Sequence, residues 1–247
     1  MKIKNFILIL IISIIISKNS FSENIEIQSS NMKISEEGNI ITAFEASTII
    51  KNENIKIDSN KTKYNKSDEI IIFTDKVFFH DINKDIKIFG DKITYNKNKD
   101  LIFSNGPTKI NIENSYAIES SDIFYDRKSK LIYSDKETFI NDQENNFYDL
   151  KEKFNFDIVK EIIKSKSSVI IDKNNNQYIF EDLIINLKNN EIAGNEIKIN
   201  FRDDYFNNEK NDPMLRGRSG HSDEDELKIY KAVFSTCNIK EKKCRGW

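Results

Sequence analysis

The chain has 247 residues and a mass of 28.9 kDa, and its first 22 residues read as an export signal. Without them Lys+Arg falls to 35 against 40 Asp+Glu, a formal charge of −5, where a nucleic-acid binder shows a basic excess. Two cysteines and two histidines are too few for a multi-ligand metal site or a histidine-based active site, and 44 isoleucines against 5 alanines suit strands far better than helices.

Lys2 and Lys4 precede an apolar run from Phe6 to Ile16, and Ser20 and Ser22 supply the small residues a signal peptidase needs. Cleavage is expected after Ser22. The run is shorter than the roughly 20 residues of a spanning helix, although an uncleaved membrane anchor is the alternative. No cysteine lies near the cleavage point, which excludes lipoprotein attachment there. In a cell with two membranes the mature chain meets the periplasm first.

From Ile55 to Ile140 the sequence repeats. Tyr64, Tyr95 and Tyr125 stand 31 and 30 residues apart, and each is followed seven residues later by an aliphatic residue, Ile71, Ile102 or Ile132. Between the markers lies a polar stretch, NKSDE, NKNKD or DRKSK, so the frame reads strand, turn, strand. Looser copies follow Ile34, with Ile41 seven later, and Asn186, with Ala193 seven later. At least five units are expected, with degraded terminal copies, as in a stacked array.

Within each unit apolar residues alternate with polar ones: Ile55 and Ile57, Ile86 and Ile88, Ile93 and Tyr95, Ile110 and Ile112, Ile197 and Ile199. Strands with one apolar face must fold the sheet over itself or pack two sheets together. The expectation is an all-β fold, an antiparallel β-jelly-roll or open-ended β-roll of about 30-residue two-strand repeats over 23–201, with 202–247 as a connecting segment. Phe154 to Lys164 also carries helical spacing, and a strand ending in a turn or a short helix is expected there. DKNNN at 172–176 is a turn. RDDYFNNEKNDPMLRGRSG after Phe201 reads as loop, and strand character resumes from Leu227 to Phe234.

Nothing in this pattern points to catalysis. His80 reads as a surface residue, and His221 as part of an acidic linker. Asp75, Asp91, Asp122, Asp135 and Asp182 are assigned to strand ends as turn or cap residues. GRSG at 217–220 lacks the frame of a phosphate loop. The Tyr and Phe series reads as core rather than as a stacking platform for bases. No cofactor and no metal site are expected. A roll with apolar walls and unprotected edges could join similar modules end to end into a groove that shields acyl chains, each methylene contributing about 0.8 kcal/mol. The inward candidates for such a groove are Ile88, Ile93, Tyr95, Ile110, Ile112, Tyr125 and Phe180. A filled core, as in a structural or adhesive β-solenoid, is the alternative of another class.

The C-terminal third carries more specific strings: YIFEDLIINLKNNEIAGNEIKINF from Tyr178, NDPMLRGRSG from Asn211, IYKAVFSTC, and KKCRGW ending at Trp247. Together with the repeats they resemble the LptD family (OstA, organic solvent tolerance) of outer-membrane lipopolysaccharide-assembly proteins, in its N-terminal periplasmic domain and the entry to its barrel. The resemblance implies a non-enzymatic jelly-roll in the periplasm that docks edge to edge on an LptA-like bridge protein, receives lipopolysaccharide and guides it to an outer-membrane translocon. Where a barrel is present, it also implies an LptE-like lipoprotein partner. A soluble bridge or a membrane-anchored LptA/LptC-like carrier is the alternative within the same superfamily. The resemblance places Asp212, Pro213, Leu215, Gly217, Arg218 and Ser219 in the connecting stretch, and Cys237, Cys244 and Trp247 at the approach to the first barrel strand. It makes the two cysteines candidates for disulfides with distant cysteines; their C-x6-C spacing leaves a mutual pair open. Members of the family continue into a barrel of many strands, so the expectation is either a fragment of such a protein or a soluble relative without the barrel.

Overall fold

The computed structural model describes residues 24–113, 116–143, 145–202, 213–223 and 226–236. These form seventeen strands of one sheet: β1 (Ile25–Gln28), β2 (Asn31–Ser35), β3 (Ile40–Ile50), β4 (Ile55–Asn65), β5 (Ile70–Asp81), β6 (Ile86–Asn96), β7 (Leu101–Ile112), β8 (Tyr116–Asp126), β9 (Leu131–Ser134), β10 (Thr138–Asp142), β11 (Phe147–Asp157), β12 (Ile162–Ile171), β13 (Gln177–Asn186), β14 (Glu191–Asn200), β15 (Met214–Ser222), β16 (Leu227–Tyr230) and β17 (Val233–Ser235). All described pairings are antiparallel, and from β3 to β8 and from β11 to β15 each strand pairs with the next in the chain. Three short pairs stand in for single long strands: β1 and β2 both lie on β3, β9 and β10 both join β8 to β11, and β16 and β17 both lie on β15.

The seven-residue spacing is the hairpin register. Tyr64 faces Ile71, Tyr95 faces Ile102 and Tyr125 faces Ile132 directly across their hairpins. Ile34 faces Ile41, Phe156 faces Ile163 and Ile185 faces Ile192 in the same way. The frame placed on Asn186 and Ala193 is therefore one residue out of phase, because Asn186 pairs with Glu191 and Ala193 with Ile184. The hairpin partners also meet the next repeat, as Ile71 does Tyr95, Ile102 does Tyr125, Ile132 does Phe156 and Ile163 does Ile185. One line of inward side chains thus runs across the roll. A second runs from Ile57 through Phe79, Ile88, Ile110, Ile118, Ile140, Tyr148 and Ile170. Most members of both lines are fully buried, each contributing about 1.5–3 kcal/mol relative to an exposed side chain.

The long strands bend at their midpoints. Glu45, Asp75 with Lys76, and Gly106 follow one another at 30 or 31 residues, Asp122 and Lys153 at 31, and Ser167 and Glu196 at 29, all with φ between 35° and 80°, and the ladder shifts register beside several of them. In β3, β5 and β12 two successive side chains point outward at the bend, so the alternation changes phase and the inward face continues round the corner. The crook holds small hydroxyl residues that satisfy one another or the bulged backbone: Ser59 with Thr62 at 2.9 Å, Ser104 with Thr108 at 2.7 Å, and Ser165 donating to Glu152 O at 2.8 Å. Asp122 accepts from the Gly106 amide at 2.9 Å, tying one bulge to the next.

Several sequence expectations change here. Asp75, Asp91, Asp122 and Asp182 lie in the middle of strands, not at their ends, and Asp135 lies in the break between β9 and β10. An aspartate that tolerates left-handed backbone looks like a turn residue in sequence, but here it turns a corner within a strand. Of the two alternatives for Phe154–Lys164 the structure has the first, the end of β11 and a turn before β12. Met214–Ser222 is not loop but β15, paired along most of its length with β14. Its glycines explain the misreading. A Cβ on Gly220 would stand 2.6 Å from Ile197 Cδ1, and one on Gly217 would overlap Ile229, so the close packing of this strand demands residues that resemble loop punctuation. The turn at 172–176 is present, with Asp172 accepting from the Asn174 and Asn176 amides.

Candidate functional site

Because each strand bends, the turns at its two ends come near each other. One row contains the turns that begin at Lys66, Lys97, Arg127, Ile158 and Leu187; each of these residues donates its amide to the preceding turn of the row, to Asn39, Glu69, Asp100, Lys130 and Glu161 respectively, at 2.9–3.1 Å. The other row contains the turns at 51–54, 82–85, 142–146 and 172–176. What stands between the rows differs along the roll.

Over the middle repeats the rows touch through a half-buried polar seam. Arg127 donates from Nε to Asp81 Oδ2 at 3.0 Å and from Nη1 to both Glu53 Oε2 and Asp100 Oδ1 at 2.7 Å, and its Nη2 reaches Glu53 O at 3.2 Å. Tyr125 donates to Asp81 Oδ2 at 2.9 Å, and the Tyr95 hydroxyl lies against Glu53 and 3.0 Å from Asp100 Oδ1. Asp81 is 1% exposed, and its Oδ1 has no partner. Burial opposes the charge on Arg127, but the carboxylates of Asp81 and Asp100 outweigh it and hold the guanidinium protonated well above its ordinary range. Burial, then Glu53 and Asp100, pushes the Tyr95 phenol up, and burial with Asp81 does the same to Tyr125.

Two repeats further on, the same rows stand apart. A cleft of about 540 Å³ opens between Asp142, Gln143 and Asn146 on one side and Leu187, Asn190 and Asp223 on the other. Beneath it, sharing Asn146, Tyr148 and Ile192, lies a cavity of about 250 Å³ walled by Ile170, Phe180, Ile197 and Ile199. Its rim is built twice by one device. Asp142 accepts from the Asn146 amide, the Asn146 side chain and Tyr148 at 2.8–2.9 Å, and Asp172 accepts from Asn176 and Tyr178 in the same way at 2.8–3.1 Å. Burial and Asp142 push the Tyr148 phenol up.

The repeat explains the difference. The residue two before each row position is Tyr64, Tyr95, Tyr125, Phe156 and Ile185, so the hydroxyls that hold the seam disappear after Tyr125. At the row position itself Arg127 gives way to Ile158 and Leu187, which can pack on apolar neighbours but cannot bridge carboxylates.

Of the inward candidates, Ile88, Ile93, Tyr95, Ile110, Ile112 and Tyr125 do point inward, and they are 0–6% exposed in a continuous core. Phe180 alone among them borders the cavity. Leu215, Gly217, Arg218 and Ser219 lie on β15 with Pro213 just before it, Leu215 facing Ile199 and Arg218 lining an outer groove with Lys198, Arg216 and Lys231. His221 is not in a linker: it belongs to β15 and lines the cavity. His80 is half-buried, 3.0 Å from Asp85. The export signal, Asp212, Cys237, Cys244 and Trp247 lie outside the described residues. Sequence reading missed Glu53, Asp81, Asp100 and Arg127; aligning the turns would have shown Arg127 as the one arginine in a column of Lys, Ile and Leu.

No curated protein matches the chain in sequence. Among solved structures, it is similar to LptH from Pseudomonas aeruginosa, described as the LptA-homologous periplasmic component of the lipopolysaccharide transport device. That likeness has 14% identity and a TM-score of 0.41, and covers 47% of this chain and 83% of the other. Residues 16–101 match the family model described as "LptA/(LptD N-terminal domain) LPS transport protein". Over those residues, about a third of the chain, the sequence is similar to that family of lipopolysaccharide-transport domains.

Proposed function

We propose that this roll is a passive carrier of lipopolysaccharide, taking it from a bridge protein and guiding it toward an outer-membrane translocon, with 23–201 as the carrier and 202–247 as the segment that leads on from it. The reading is supported chiefly by one observation: the apolar interior runs from repeat to repeat along a cross-strand line and reaches a strand edge that none of the described residues pairs with. Ile34, the first member of its line, is 60% exposed on β2, with Met32 two residues before it on the same face at 41%. At the other end Leu227 and Phe234, which continue the inward positions Ile192 and Ile199 through β15, are 47% and 49% exposed. A neighbouring sheet pairing with such an edge extends both the ladder and the apolar face. No step needs a nucleotide, so direction must come from partners.

Photoreactive side chains placed in turn at inward positions of the full chain, Ile88 and Ile110 in the filled part and Ile170 and Phe180 in the open part, should include at least one that captures lipopolysaccharide in cells. Capture only from outward positions, such as Phe103 or Lys109, would sink the carrier reading.

A further inference from the structure

Where a lysine or arginine on the outer face stands directly across the ladder from another charged side chain, the signs are opposite. Lys109 faces Glu119 across β7 and β8, with Nζ 3.1 Å from Oε1, and Lys166 faces Glu152 on one side and Asp182 on the other. Among the described residues one pair breaks this rule. Lys198 on β14 faces Arg216 on β15, a juxtaposition of like charges that destabilises a sheet. The pair opens into an outer groove of about 520 Å³, which Arg218 and Lys231 also line, and Glu196 is the one carboxylate in its described lining. Lys198, Arg218 and Lys231 form no ion pair with any described residue. The mature chain as a whole is acidic, with 40 Asp+Glu, so this cluster is a local reversal of sign and not part of a generally basic surface.

We propose that this groove binds a phosphate monoester, either free or carried on a glycolipid headgroup. An anion seated between Lys198 and Arg216 removes the cost of their like charges. The cations come from β14, from β15 and from the break between β16 and β17, so they approach the groove from separate segments. A tetrahedral phosphate can answer several of them at once, whereas a carboxylate offers two oxygens in one plane. Arg216 and Arg218 are two residues apart on β15 and both exposed, and their planar forks match phosphate oxygens in pairs. A monoester also carries about −1.5 to −2 charges at neutral pH, more than a carboxylate can. Because the groove is on the outside of the roll, its ligand neither requires nor excludes a lipid in the interior.

The test uses the full mature chain. Inorganic phosphate and glucose 1-phosphate are titrated by calorimetry, and phosphatidylcholine vesicles containing lipid A, or lipid A stripped of its phosphates, are assayed by co-sedimentation. At least one phosphate-bearing probe should bind. Arg218→Gln with Lys231→Gln should weaken that binding at least tenfold with an unchanged melting temperature. Lys63→Gln with Lys92→Gln makes the same change of net charge on exposed positions elsewhere and should leave binding as it was. Arg218→Gln alone repeats the test should the double variant fail to fold. Binding of the soluble probes supports a site for free phosphate monoesters, and binding confined to phosphorylated vesicles supports a headgroup site. Binding of neither, equal binding of vesicles stripped of phosphate, or an equal loss in the Lys63/Lys92 control would each overturn the proposal. Undiminished binding in the Arg218 variants would overturn it as well.

Discussion

Arg127 Nε lies 3.0 Å from Asp81 Oδ2, joining a turn of one row to the end of a strand whose turn belongs to the other. The guanidinium side chain is 10% exposed and the carboxylate 2%, so neither charge is well solvated without the other. Arg127→Met should destabilise the roll by about 3–5 kcal/mol, because it leaves three carboxylates around an uncompensated site. Arg127→Lys should recover only part of this, since one ammonium cannot reproduce the forked contacts to Asp81, Glu53 and Asp100. Urea unfolding of the three proteins decides the matter; equal midpoints would show that the seam carries no stability.

Tyr95, Tyr125 and Tyr148 each have a phenol pushed up by burial and then by a neighbouring carboxylate. In the unfolded chain a tyrosine titrates near about 10. Below that pH both states hold the proton and stability is unaffected. Above it the unfolded chain releases protons that the folded one retains, so stability falls as pH rises, by up to about 1.4 kcal/mol per pH unit for each tyrosine. Denaturation midpoints between pH 9 and 11.5 should therefore drop steeply, and Tyr125→Phe should flatten the slope. A slope indifferent to all three Tyr→Phe changes would contradict this account.

Filled and open parts of the interior should respond differently to truncation. Ile132→Ala, in the filled part, is expected near the top of the range of about 2–5 kcal/mol for such changes. Ile170→Ala, beside an existing cavity, should lie near the bottom, because fewer contacts are lost. The comparison needs only thermal or urea unfolding, and a reversed order would mean that the cavity is closed in solution.

The β2 edge should matter for association and hardly at all for folding. Ile34→Asp places a charge at a position that is 60% exposed, and should change stability by no more than about 0.5 kcal/mol. It should nevertheless abolish end-to-end pairing with an LptA-like bridge protein, measured by co-sedimentation. Unaltered co-sedimentation would remove this edge from the docking surface.

Much of the fold was legible because a hairpin leaves its register in the sequence. Seven residues from Tyr64 to Ile71 is the distance between partners across a four-residue turn, and three copies made the period visible. The bends were not legible, since Asp75 and Asp122 carry the same side chain whether a strand ends or turns a corner. Nor was β15, whose glycines at 217 and 220 reflect contact with Ile229 and Ile197 rather than freedom.

The sequence by itself determined the strand-turn frame and the inward faces, because period-two alternation and turn chemistry are local properties. Only the tertiary structure decided where the roll is shut and where it is open. Glu53 and Arg127 are 74 residues apart in the chain, and whether a charged turn residue faces water or three carboxylates depends on how far each strand bends and which turns that bend brings together.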